Sequence, residues 1–429
     1  DKLIKKAIDD KQVALMEFVQ TIFEFSSSFL YSLQWKDVSK KIVSYQDNIL
    51  DCINSSEKFT KICYVCTNIV CLIYMKNKKA YLVLADGTVF NGISMGKEGT
   101  ALGEVVFNTC TASYGELLSD PTYYGQIVAQ TYPLVGNRGV EKRENGSKIM
   151  ASGYVVREWC DTGDLGEETL DSYLKECGIV GISGIDTRRL TRAVRDKGYM
   201  KGAITDNLND FDVLIKNIKN YTISGAVEAV TVKEPQKFTA ENPKCNVAVI
   251  DYGSPRRTLD GFLSRGCSLT VVPADFTAEQ LKNISPDGIF LSDGPADPDD
   301  NPKLIENIKE FKKLGVPMFG IGLGHQMLAL SEDFKIEKMP QGHRGSNQPV
   351  VIKSTGKLMV TEQNHGYSVE VSSISSDKAD ITMINVNDGS CEGLEYKNFN
   401  GFGVQFTPDS DRDSSTSWIF DRFVDMMGE

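Results

Sequence analysis

No run of 18 consecutive apolar residues occurs anywhere in this 429-residue chain, so a membrane-spanning helix is not expected. Positive charge is also in deficit. There are 47 lysines and arginines against 58 acidic residues, a formal charge of −11. Without a basic surplus to neutralise phosphates, neither nucleic acid nor an anionic membrane is expected as a main partner. Cysteine is scarce in pattern rather than number: ten are scattered without a dense short framework. That distribution fits reduced thiols in a cytosolic protein better than a disulfide scaffold. Histidine is limited to His325, His343 and His365. Residues 1–74 contain neither arginine nor glycine. A transit peptide would be Arg-rich and acid-poor, and Asp9, Asp10 and the missing arginine count against one.

The length predicts two or three domains, at roughly 150 residues each, and 41% hydrophobic residues are ordinary for a globular protein with sizeable cores. Residues 1–74 look like an appended, mainly helical extension of unread role. Apolar residues recur at helical spacing from Leu3 to Phe25, and more loosely from Phe29 to Ile53. Met75 then resembles a natural start. Cys52, Cys63, Cys66 and Cys71 could hold zinc, but the apolar surroundings favour buried thiols.

Residues 78–228 show short strands and turns, with Ala80–Leu84, Asp86-Gly87 and Thr88–Phe90 forming a hairpin signal. Helical patterns follow at Glu168–Glu176 and Thr187–Lys197. The polar, proline-marked stretch 229–244 predicts an interdomain linker. From 245 to 429 strands and helices alternate: Asn246–Ile250, Ser254–Arg265, Leu269–Val272, Thr277–Asn283, Gly288–Leu291, Leu304–Leu314 and Pro317–Ile321. That rhythm predicts an α/β domain whose mostly parallel sheet is covered by helices on both faces. Chemistry in such sheets sits at the carboxyl ends of the strands. Both Gly322 and the loop Ser292–Pro298 fall at such ends and can face one cleft.

Gly322 carries the most information. The apolar Val316–Phe319 runs into Gly320-Ile321-Gly322-Leu323-Gly324-His325-Gln326, a strand breaking sharply into a helix. This is the pattern of a nucleophile elbow, which lifts one side chain to where it can attack a carbonyl. Glycine has no side chain to lift. It does relieve the backbone strain of such a corner. Two rival motifs fail: the Gly320-x-Gly322-x-Gly324 run lacks the spacing of a dinucleotide loop. Asp409-x-Asp411-x-Asp413 lacks the glycine and bidentate glutamate of a calcium loop.

The elbow resembles that of class I glutamine amidotransferases, which read Gly-Ile-Cys-Leu-Gly-His-Gln there, with cysteine where this chain has Gly322. Their Gln-Phe-His-Pro-Glu segment is similar to Gln405-Phe406-Thr407-Pro408-Asp409, so Thr407 stands for the histidine base and Asp409 for its orienting glutamate. Their Asn-Gly-Pro-Gly-Asp-Pro loop is similar to Asp293-Gly294-Pro295-Ala296-Asp297-Pro298, and Ala296 falls at the glycine whose N–H serves the oxyanion. The resemblance implies a flavodoxin-like domain whose glutamine pocket is lined by Thr122, Gly294, Ala296, Leu323, Gln326, Asn364, Gly366 and Tyr367. A tight turn is the alternative use of Asn364 and Gly366, and the matching order and spacing along the domain favour the pocket. No metal site is implied. Threonine does not titrate near pH 7 and cannot serve as the base.

The middle region narrows the resemblance. Gly103–Thr109, Tyr114–Tyr123, Gly125–Val128, Tyr132–Asn137 and Gly184–Arg188 resemble the amino-terminal domain of the carbamoyl-phosphate synthase small subunit, and the likeness runs from about Lys78 to Met427. Cys110-Thr111-Ala112-Ser113 and Gly115 depart from it. The resemblance implies a β-rich domain that docks on a large synthetase subunit. The family's small subunit hydrolyses glutamine and passes ammonia to that subunit for arginine and pyrimidine synthesis. ATP and magnesium would belong to the large subunit, and no cofactor to this chain. The expectation is a small-subunit homologue that lacks glutaminase activity. A non-catalytic glutamine-sensing module and an engineered inactive variant stand as alternatives.

Overall fold

The structure is a computed structural model that describes residues 78–111, 114–137, 139–140, 150–160, 169–295 and 297–428. The extension over 1–74, with its expected helices and cysteine cluster, lies outside the described residues, as does Ala296.

The first domain is a closed barrel. Its strands are β1 (Lys79–Leu84), β2 (Val89–Gly96), β3 (Ala101–Asn108), β4 (Gln126–Gln130), β6 (Gly153–Val155), β8 (Val180–Ser183) and β9 (Met200–Thr205), in the order β1-β2-β8-β6-β4-β3-β9. Two short strands, β5 (Leu134–Val135) and β7 (Glu158–Trp159), pair outside it. The expected hairpin is present, with Val83 opposite Val89 and Gly87 at φ +85° in the turn. That φ is strained for any residue with a Cβ. Leu82, Leu84, Val105, Ile127, Val155, Ile182 and Ile204 fill one buried core, which the closed sheet wraps. Helix α1 (Tyr114–Ser119) precedes the Pro121–Tyr123 turn; α2 (Leu170–Glu176), α3 (Thr187–Lys197), α4 (Phe211–Asn220) and α5 (Ala226–Val230) complete the domain. Asp186 caps α3 by accepting from the Arg189 N–H at 2.9 Å, satisfying one of the orphan donors of the first turn.

The second domain is built on a ten-stranded sheet. Its strands are β10 (Gln236–Phe238), β11 (Cys245–Asp251), β12 (Cys267–Pro273), β13 (Gly288–Leu291), β14 (Met318–Ile321), β15 (Ile336–Ile352), β16 (Leu358–Val369), β17 (Ala379–Asn385), β18 (Cys391–Tyr396) and β19 (Gly401–Val404), ordered β10-β12-β11-β13-β14-β19-β18-β17-β15-β16. The strands β12, β11, β13, β14 and β19 run parallel and form its core, and an antiparallel block β18-β17-β15-β16 extends it. The segment read as a linker contributes more than a tether, because β10 pairs antiparallel with β12. Helices α6 (Arg256–Leu263), α7 (Ala278–Ile284), α8 (Pro302–Lys312), α9 (Leu323–Leu330) and α10 (Trp418–Gly428) cover the sheet.

Both faces of the central strands are apolar because each buries against helices. In β11, Val247 and Val249 join one core while Ala248 and Ile250 join the other. In β13, Phe290 faces the first and Ile289 and Leu291 the second. An aromatic cluster fills one face: Phe319 stacks on Phe402 at 4.5 Å, and Phe262 meets Phe420 edge-on at 4.9 Å. No helix among the described residues is long and apolar enough to cross a membrane.

Candidate active site

Strand β14 is fully buried, and its chain turns at Gly322 directly into α9, whose residues from Leu323 to Ala329 are buried as well. Gly322 has φ 52° and ψ −111°, a combination closed to residues with a Cβ except under strain. Its N–H donates to the Val404 carbonyl at 3.0 Å, and its own carbonyl accepts from the Gln326 N–H at 3.1 Å, so the corner is pinned from both sides. The strand-to-helix corner expected from the sequence is therefore formed, with glycine at its apex.

The space beside that apex is occupied. A Cβ placed on Gly322 would lie 2.7 Å from Asp293 Oδ2 and closer still to Oδ1. Asp293 Oδ1 accepts from the Leu323 N–H at 3.0 Å and the Gly294 N–H at 2.8 Å. One of these is the N–H following the elbow residue, the group that stabilises the oxyanion in elbow hydrolases. Asp293 is 7% exposed. Burial raises its pKa from an ordinary 3.8 to about 7, against the lowering pull of the two N–H donors and Arg257. Oδ2 has no hydrogen-bond partner among the described residues.

Charged groups stand where the base would act. Thr407 is buried, and its N–H donates to the Glu362 carbonyl at 3.0 Å. The Glu362 carboxylate accepts from Arg257 Nη1 at 2.8 Å, and Asp120 Oδ2 of the barrel domain lies 3.9 Å from Arg257 Nη2. Burial lowers the Arg257 pKa, but these carboxylates outweigh it and hold the guanidinium above its ordinary value. Asp409 is exposed; its N–H donates to Thr416 Oγ1 at 2.9 Å and its Oδ1 accepts from the Asp411 N–H at 3.0 Å. Among the described residues no bond joins Asp409 to Thr407.

A cavity of about 480 Å³ opens between the two domains. It brings together Thr122, Gly294, Leu323, Gln326, Asn364, Gly366 and Tyr367, that is, every expected pocket residue within the described set. Gly322, Thr407 and Asp409 do not line it. Thr122 Oγ1 donates to Asp120 Oδ1 at 2.7 Å and accepts from Asn364 Nδ2 at 2.5 Å, so its hydroxyl bridges the domains. Gln326 Nε2 donates to the Tyr367 carbonyl at 2.8 Å and to Gln405 Oε1 at 3.0 Å. The sequence reading missed Asp293, Lys338 and Arg344, which also line the cavity. Lys338 pairs with Glu104 of the barrel at 3.0 Å, and the backbone carbonyl of Arg344 faces Thr109 Oγ1 at 3.4 Å. Of these only Asp293 carries a signal that could have found it, an acid where the similar loop reads asparagine.

His343, His365 and Glu392 have ligand atoms within 4.8 Å of one another, a spacing compatible with a metal ion. Each is already hydrogen-bonded. His343 meets Gln363 Oε1 at 3.0 Å and Asp388 Oδ2 at 2.9 Å, while His365 meets the Tyr367 carbonyl at 2.8 Å and Gln363 Oε1 at 2.9 Å. Glu392 accepts from Gln363 Nε2 at 2.9 Å and Asn385 Nδ2 at 3.1 Å. The cluster is a polar network behind the cavity wall. Burial depresses the His343 pKa, yet Glu392 and Asp388 prevail and keep it above the ordinary imidazole range. His325, fully buried, is pushed down to about 3 and is neutral.

Residues 82–204 match the sequence model of the carbamoyl-phosphate synthase small chain CPSase domain, and residues 248–426 that of class-I glutamine amidotransferases. The carbamoyl phosphate synthase small chain of Staphylococcus saprophyticus is 38% identical over 357 residues, covering 82% of this chain and 97% of its own. The chain belongs to the carbamoyl-phosphate synthase small-chain family. The small chain of Syntrophotalea carbinolica is 43% identical over 371 residues, covering 81% of this chain and 98% of its own. That of Bacillus cereus is 41% identical over 355 residues, covering 81% and 96%. The family is the glutamine-hydrolysing subunit of the synthase, and the barrel plus sheet arrangement corresponds to its two matched regions.

Proposed function

We propose that this chain docks on a large synthetase subunit, as carbamoyl phosphate synthase small chains do, but releases no ammonia from glutamine. The observation that carries this is Gly322 at the elbow, with the Asp293 carboxyl filling the volume beside it. Thioester chemistry needs a thiol polarised by an imidazole. In comparable triads, losing the nucleophile alone costs roughly 10⁶-fold, with about 10³-fold over water left from binding and oxyanion donors. Here one of those donors, the Leu323 N–H, is itself engaged by Asp293.

The cavity is an amino-acid pocket on this reading, because the residues that hold glutamine in the family surround it. The partner would use free ammonia to make carbamoyl phosphate for arginine and pyrimidine synthesis in the cytosol. ATP and magnesium act on the large subunit. The test is carbamoyl phosphate formation by the chain with a large subunit added, driven by glutamine or by ammonium. Ammonium-only activity is expected, and glutamine-driven turnover would refute the reading. A glutamine-sensing role is favoured by the same retained cavity. Calorimetry with L-glutamine separates the two, since the docking role survives absence of binding and the sensing role does not.

A further inference from the structure

We propose that Asp293 has converted the carbonyl-binding end of the cavity into a cation-binding end, so that its ligand is an α-amino acid whose side chain terminates in an ammonium group. The proposal rests on the reading of the cavity as an amino-acid pocket, and it concerns which amino acid that pocket takes.

Three observations carry it. First, the N–H following the elbow residue, which would receive a ligand carbonyl oxygen, is occupied, and so is a second N–H beside it. Both Leu323 and Gly294 donate to Asp293 Oδ1, at 3.0 and 2.8 Å. A carboxamide entering this end must displace an acid that is 7% exposed and already bonded, or leave its own oxygen unpaired. An unpaired buried acceptor weakens binding. Second, Asp293 lines the cavity and its Oδ2 has no partner among the described residues, so the end of the pocket presents an acceptor where the family presents donors. The neighbouring charges agree in sign. Asp120 and Glu362 flank a single guanidinium, Arg257, and Asp120 and Arg257 both act on Asp293. Asp293, Asp120 and Glu362 thus share the one guanidinium of Arg257 behind this end, while the cations that line the cavity itself are Lys201, Lys338 and Arg344.

Third, the cavity holds a free donor of the kind an α-carboxylate requires. Arg344 is 8% exposed and lines the cavity; its Nη1 donates to the Gln341 carbonyl at 2.9 Å, while its Nε has no hydrogen-bond partner. Asn364 Oδ1, also on the cavity wall, is a buried acceptor without a partner. A guanidinium nitrogen and an amide oxygen, both buried without partners on residues of the cavity wall, match the carboxylate and ammonium of an α-amino acid.

Side-chain length selects the probe. In L-ornithine the terminal nitrogen stands as many bonds from Cα as the amide nitrogen of glutamine, and there is no carbonyl oxygen to seat. L-Norvaline has the same carbon chain without the ammonium. Titration calorimetry on the full chain alone, with no large subunit present, is expected to give binding in the order ornithine, glutamine, norvaline. Asp293→Asn should weaken ornithine by at least about tenfold, the worth of a charged hydrogen bond, and should strengthen glutamine.

Glutamine or norvaline binding the unaltered chain as tightly as ornithine would overturn the cation preference while leaving the amino-acid pocket intact. No binding by any of the three would overturn both. Ornithine affinity unchanged in Asp293→Asn would show that a group other than Asp293 holds the ammonium and would sink the assignment. The ligand comparison on the unaltered chain decides the preference even if the variant fails to fold.

Discussion

Replacing Asp293 by asparagine should stabilise the protein, and by an amount that depends steeply on pH. Burial holds the Asp293 carboxyl near a pKa of about 7 against an ordinary 3.8. Between those values the native state keeps a proton that the unfolded chain has released, so stability falls as pH climbs through this window. About three units at about 1.4 kcal/mol each come to roughly 4 kcal/mol of native-state penalty once the carboxyl is ionised. Asparagine has the same shape, keeps an oxygen to accept from the Leu323 and Gly294 N–H groups, and cannot ionise. The variant and the parent should therefore be nearly equal near pH 4. Their difference should widen by about 1.4 kcal/mol per unit up to about pH 7 and level off above it. For a domain of this size that limit corresponds to a Tm gain on the order of 10 °C. Urea unfolding of both proteins across this range measures it directly, and titrations common to both cancel in the difference. A stability difference that is flat with pH, or a variant weaker at alkaline pH, would refute the reasoning.

Three further outcomes follow from the site. Gly322→Cys, Thr407→His and Asp409→Glu together should release no ammonia from glutamine, because the new Cβ meets the Asp293 carboxyl; adding Asp293→Ala, which removes that carboxyl, is the step that should open the elbow. Thr122→Val removes the hydroxyl bridging Asp120 and Asn364 and should cost about 1–3 kcal/mol in urea unfolding, with Thr122→Ser retaining most of it. His343→Gln should be most damaging below about pH 6.5, where the parent imidazole gains from Asp388 and Glu392. Because the native pKa is raised, that contribution fades as pH rises through it, and the deficit measured by thermal unfolding should shrink in parallel.

Much of this was legible in the residues. The parallel core was readable because each strand is a short apolar run between turn formers, and Gly288–Leu291 and Thr187–Lys197 fall where the pattern puts them. Thr277 was placed at the start of a helix, and it forms a capping box with Gln280. The long β15–β16 ladder was not foreseen. Its alternation is broken by Pro340, Gly342 and Gly345, and its register shifts at these points, so no period of two survives in the sequence. Strand β10 was taken for linker because Gln236 and Lys237 are exposed on an edge, where polar residues suffice. The elbow and the pocket residues were found by motif order. The fate of the Asp293 side chain was not, since it depends on the empty volume at Gly322, distant in the chain but adjacent in space.

The three residues of β10 have a mechanical meaning. They cap the outer edge of β12 with chain that has just left the barrel, and β11 follows within a few residues. A proteolytic nick between Thr239 and Lys244 would free that cap, withdrawing from the core beneath only side chains at its margin such as Phe238. The bare rim of β12 would then offer its unpaired amides to any passing strand. Clipped protein should turn turbid before it unfolds, tying resistance to aggregation to the integrity of one short crossing.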